Sequence, residues 1–178
     1  LDEDTFASAA LHQDDELEDW QIEELRKKSE TRRALDKAMD YLSLRDHAAG
    51  ELYQKLCRKF DAHSAAYAVA RAGELGLLND VSFARRRAAE LLRKRKSRRA
   101  ILDDLTAKGI DRDTAAGAVE ALYADAEQDP ELTAAIQLVQ RHYAAKLSAG
   151  RRDQVAAALA RRGFSHAVIR QALETDQT

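Results

Sequence analysis

The chain has 178 residues, 34% charged and 45% apolar, a length that fits one domain or a few small repeated modules, and a charge content above the quarter usual in soluble domains. Its apolar set is mostly Ala and Leu with one Trp and one Pro, so strong helix formers dominate; Val, Ile and Thr are too scarce for several strands, and an all-α fold is expected. No apolar run approaches the roughly 18 residues of a membrane span, no basic-then-apolar leader opens the chain, and the single Cys57 excludes an internal disulfide, which together predict a cytoplasmic protein without a membrane partner.

The net charge of −2 conceals an asymmetry. Residues 1–30 hold 11 acids against 3 bases, net −8, and the other 148 residues are net +6. An acidic, solvated end on a basic body is the pattern of a protein that meets an anionic partner. Residues 1–13 lack periodicity and read as disordered, while Leu17, Trp20 and Leu25 form a rough stripe that extends the first helix backwards; together, 1–32 are an acidic extension. The head reads as a solubilising tail, or as a cover in which residues 14–24 fold over the bases described below.

From there the punctuation is regular. Asp61, Asp80, Asp111, Asp129 and Ser165 precede stretches of helical period as N-caps, and Pro130 stands at a first helical position. Gly76, Gly109 and Gly163 stand where helices end. These marks place helices at 33–45, 48–59 and 63–75, then 81–95, 98–108 and 112–126, then 130–147, 151–162 and 166–174. Leu105, Gly109 and Ile110 repeat as Leu159, Gly163 and Phe164, with Ile101 recurring as Val155 at the same offset of 54 residues. Leu52 and Leu56 make a fainter copy 49 residues earlier. Ser97 caps the second copy; Ala48 stands at the matching place in the first, and Lys59-Phe60 stands where the glycine stop would be. The chain reads as three three-helix, helix-turn-helix-like modules, 33–79, 80–128 and 129–178, stacked into an elongated curved rod.

Taken in order, Ala38–Leu44 with Arg45, Glu51-Leu52, Lys55-Leu56, Gly76–Asp80 with Phe83-Ala84, Ile101–Leu105 with Gly109-Ile110, and Leu159 with Gly163-Phe164 resemble the RecX family over residues 34–174. The resemblance implies a control protein that lies along the groove of the RecA recombinase filament on DNA and restrains recombinase, ATPase and coprotease activity in DNA repair, recombination and the SOS response.

Phosphate loops, Cys-pair metal motifs and His-Glu-x-x-His are lacking, so no cofactor, metal or catalytic residue is assigned. The five histidines read as surface residues, Cys57 as a small buried thiol, and the five tyrosines mostly as half-buried core. The informative feature is basic. Arg85, Arg86, Arg87, Arg93, Lys94, Arg95, Lys96, Arg98 and Arg99 fall within 15 residues against Glu90 alone. On a helix 85, 86, 93 and 96 would share a side, and such clustered like charges disfavour the fold by a few tenths of a kcal/mol per pair unless a partner neutralises them. Arg151, Arg152, Arg161 and Arg162 continue the theme. Phe83, Leu91, Leu92, Ile101, Leu102 and Leu105 are the expected core between them. A monomer is expected, with single- or double-stranded DNA as a second partner through phosphate contacts. Two other readings stay open: a helix-turn-helix-like DNA-binding protein using the basic central module, although the cluster has few of the side chains that read bases, and a helical scaffold for an unrelated acidic partner.

Overall fold

The computed structural model describes residues 3–9, 16–124, 126 and 128–175. Every regular element among them is helical. These are α1 (Glu3–Ser8), α2 (Asp19–Leu44), α3 (Ala49–Leu56), α4 (Ala62–Glu74), α5 (Asp80–Arg93), α6 (Arg98–Ala107), α7 (Arg112–Ala124), α8 (Pro130–Leu138), a π-helical turn (Val139–Tyr143), α9 (Ala144–Ser148), α10 (Arg152–Arg161) and α11 (His166–Thr175). They fall into two compact units, one up to Asp80 and one from Val81 onward.

In the first unit, Ala34 and Ala38 of α2 face Leu52 and Leu56 of α3 and Ala65 and Ala68 of α4, all fully buried. Alanine at these places lets helix backbones approach closely. Asp61 caps α4 through the Ser64 N–H at 2.8 Å. The turn after α3 closes without a left-handed residue: Phe60 N–H donates to Leu56 O at 3.0 Å.

In the second unit, Phe83, Leu91, Ile101 and Leu105 are buried as expected, whereas Leu92 and Leu102 are only half-buried, Leu92 packing against the core that includes Leu138, Val155 and Leu159. Gly109 and Gly163, at φ 81° and 86°, close α6 and α10. Ile110 N–H then reaches Leu105 O at 3.1 Å, and Phe164 N–H reaches Leu159 O at 3.3 Å, so each apolar residue folds back on its leucine. Asp111, Asp129 and Ser165 accept N–H bonds from their first turns.

Several expectations are corrected. Glu3–Ser8 is helical although residues 1–13 read as disordered; residues 1, 2 and 10–13, and Asp14 and Asp15, lie outside the described residues. The helix expected over 130–147 is interrupted by the π turn. Cys57 is exposed. His47 is buried, its Nδ1 2.9 Å from Arg45 O and its Nε2 2.9 Å from the Lys55 ammonium. Since an ammonium only donates, Nε2 accepts and the ring is neutral, and burial holds its pKa below the usual histidine range. Four of the five tyrosines are half-buried as expected, and Tyr67 is exposed.

Asp80 is the most instructive correction. It sits in the first turn of α5, and its Oδ1 accepts the Ala49 N–H at 2.9 Å. Its carboxylate thus caps α3, 31 residues upstream, where buried Ala48 offers no side-chain oxygen.

Candidate partner-binding surface

The core stripe of α5 is Phe83, Ala84, Ala88 and Leu91. With those inward, helical period leaves Arg85, Arg86 and Arg93 exposed. Arg87 is drawn out of the cluster. Its Nε and one terminal nitrogen bind Asp104 at 2.8 and 2.9 Å, and the other binds Glu90 at 2.9 Å. Asp104 foremost holds this guanidinium more firmly protonated than usual. Lys94 also binds Glu90. The side of α5 expected to include residue 96 does not, because α5 ends at Arg93 and Lys96 lies in the turn beyond.

That turn has an unusual stop. Lys96 N–H bonds to Leu91 O at 3.1 Å and Arg95 N–H to Leu92 O at 2.8 Å, the arrangement seen at Gly76, Gly109, Gly150 and Gly163. Here the left-handed residue is Arg95, at φ 57°. A side chain costs about 1 kcal/mol there relative to glycine. In return Arg95 Nε donates to Gln137 Oε1 on α8 at 2.9 Å.

The start of α6 meets the end of α10. Ser97 Oγ accepts the Ala100 N–H at 3.2 Å and donates to Arg162 O at 2.8 Å. A Cβ built on Gly163 would lie 2.8 Å from Ser97 Oγ and 3.5 Å from Arg99 Cβ. Two basic clusters some 60 residues apart in sequence therefore converge: Arg98 and Arg99 with Arg161 and Arg162. Arg151 and Arg152 are not part of this convergence, since they stand at the other end of ten-residue α10, about 15 Å away.

These bases are not equivalent. Arg98 is pinned, with its guanidinium 5.5 Å from the Tyr123 ring and 3.9 Å from Glu120, and its N–H bonded to Glu131 Oε1 at 3.1 Å. Arg99 has a loose 3.9 Å contact with Asp103 between exposed side chains, which contributes little. Arg85, Arg93, Lys96 and Arg161 have no ion pair among the described residues. The exposed bases left without a firm ion pair among the described residues are thus Arg85 and Arg93 of α5, Lys96 in the turn after it, Arg99 of α6 and Arg161 at the end of α10.

Sequence reading missed two members of this region. Glu131, in the first turn of α8, is buried and caps α6. Burial pushes its carboxyl above the usual range, against the opposing pull of the Arg98 N–H. Nearby, the Tyr123 hydroxyl is buried without a hydrogen-bond partner among the described residues, and burial pushes it up to about 12. Tyr143, the last residue of the π turn, lies 5.8 Å from the Lys146 ammonium and 6.0 Å from the Arg162 guanidinium. Nothing in the sequence marked the π turn that positions it.

The model of the first three-helix domain of RecX matches residues 34–71, and that of the second matches 79–119. A regulatory protein RecX of Prosthecochloris aestuarii (strain DSM 271 / SK 413) is 33% identical over 154 residues, covering 82% of this chain and 95% of that one. The chain belongs to the RecX family. Two RecX crystal structures share the fold. One, of a regulatory protein RecX, has a TM-score of 0.75 at 18% identity, over 97% of this chain and 85% of that one. The other, RecX from Lactobacillus salivarius, has a TM-score of 0.70 at 20% identity, over 84% and 98%. Within this RecX-family chain the exposed bases of α5 and α6 fall in the second matched domain, and the whole acidic head precedes the first.

Proposed function

We propose that this chain is a non-catalytic regulator of the RecA recombinase, binding in the groove of the RecA–DNA filament and lowering recombinase, ATPase and coprotease activity. The observation that carries the reading is the convergence of unpaired bases at the α5–α6 turn and the end of α10, in a chain of the RecX family. The three three-helix modules, 33–79, 80–128 and 129–178, each give a short span of contact, so a monomer can follow successive RecA protomers. Exposed bases attract an acidic protein face or the DNA phosphates within the filament without reading sequence. The setting is the bacterial cytoplasm, during DNA repair and the SOS response. A helix-turn-helix reader of duplex DNA is the weaker alternative, because Arg98, at the start of α6, is already engaged by Tyr123 and Glu120.

The test is ATP hydrolysis by the cognate RecA on single-stranded DNA, with this protein added substoichiometrically after filament assembly. The expected result is inhibition that weakens at least ~10-fold when Arg85, Arg93, Lys96 and Arg99 are changed to Glu, the size expected from several lost charge contacts. Hydrolysis unaffected by the folded wild-type protein would overturn the proposal.

A further inference from the structure

A second basic site lies in the unit up to Asp80. A cleft of about 360 Å³ is lined by Arg26, Ser29, Glu30 and Arg33 of α2 and by Lys59 and Phe60 of the turn after α3. The α2 residues fall at i, i+3, i+4 and i+7, one face of the helix. Elsewhere on α2 the bases are neutralised within the helix: Lys27 by Glu23, Lys28 by Glu24, Arg32 by Asp36 and Lys37 by Asp40. On the cleft face, Arg26, Arg33 and Lys59 have no ion pair among the described residues. Glu30 is the one acid lining the cleft, and its Oε1 is held by the Asp61 N–H at 3.2 Å. Three bases against this single carboxylate leave the cleft with a net positive charge.

We infer that this cleft binds a phosphate of single-stranded nucleic acid. Two guanidinium forks and an ammonium, converging from two elements, suit the several oxygens of a phosphate better than a planar carboxylate. Phe60 is half-buried against the α2–α4 core, which fixes its ring in the cleft wall, where an unpaired base can stack on it. The volume is at the small end of ligand pockets, enough for about one nucleotide. The nucleotide itself can come from a strand or be free in solution; the continuous strand is favoured because the cleft is open and its bases are exposed.

The test is fluorescence anisotropy of the full chain with a labelled oligothymidylate at several salt concentrations. Arg26→Gln/Arg33→Gln/Lys59→Gln is compared with Lys27→Gln/Lys28→Gln/Arg71→Gln, which removes equal charge from helix-paired positions. The cleft variant should bind at least ~10-fold more weakly, with a salt slope reduced by about 2, while the control loses less than ~3-fold. Thermal melting of both confirms that they fold. Equal losses in the two variants, or none in the cleft variant, would overturn the site. Thymidine monophosphate binding as tightly as the oligonucleotide would overturn the strand as its ligand. The assay contains no recombinase, so its result is independent of the filament proposal.

Discussion

The starts of α3 and α6 occupy matching places in successive repeats, yet they are held differently. Both first N–H groups are capped from a distance, Ala49 by Asp80 and Arg98 by Glu131. Beyond that, α3 begins at Ala48, which offers no side-chain cap, whereas α6 begins at Ser97, whose hydroxyl both caps its own helix and bonds to Arg162 O. One helix start is closed by a single carboxylate. The other is a three-element joint linking α6, α8 and the end of α10, and it is where the exposed bases gather. Rigid placement of charge has been built at α6, not at α3.

Damage should follow that difference. Gly163→Ala is expected to cost most, about 3 kcal/mol in denaturant unfolding, because it combines a left-handed φ with a Cβ 2.8 Å from Ser97 Oγ. Gly150→Ala, equally left-handed but in open space, should cost only about 1 kcal/mol. Equal costs would mean that the joint around Ser97 yields. Ser97→Ala comes next, at about 2 kcal/mol, since it strips partners from both the Ala100 N–H and Arg162 O. Asp80→Ala, which loses one cap, should cost about 1 kcal/mol by the same measurement; a cost as large as that of Ser97→Ala would erase the contrast.

The smallest effect concerns pH. Burial raises the Glu131 pKa, so the folded chain holds that proton more tightly than the unfolded chain, and ionisation opposes folding. The contribution from this carboxyl is therefore greatest at acid pH and is lost as pH rises through and above the ordinary carboxylate range. Glu131→Gln should remove that loss, so melting midpoints of variant and wild type should diverge from pH 4 towards pH 7, with the variant higher at neutrality. A variant less stable at pH 7 would show that the Arg98 N–H outweighs burial.

What the sequence displayed is what acts locally. Asp61, Ser97, Asp111, Asp129 and Ser165 cap helices two or three residues downstream, and Gly109 and Gly163 close helices beside them, so their positions alone made them readable. Asp80 was read as the cap of its own helix and Glu131 was passed over, because the N–H groups they serve lie 31 and 33 residues upstream. Arg87 looked like part of the cluster because Asp104, its partner, is 17 residues on, across a helix turn. Arg95 carried no glycine to announce a left-handed stop. The basic edge was legible as composition; the meeting of Arg99 with Arg161 and Arg162, and the distance of Arg151 and Arg152 from them, needed the packing of α10 on α6.

The most direct measurement is the affinity of the full chain for cognate RecA filaments assembled on immobilised single-stranded DNA. Arg99→Glu/Arg161→Glu/Arg162→Glu should weaken binding at least ~10-fold, while Lys27→Glu/Lys28→Glu, which alters helix-paired charges in the other unit, should change it less than ~3-fold. Undiminished binding by the first variant would contradict the assignment of this basic edge as the partner-binding surface.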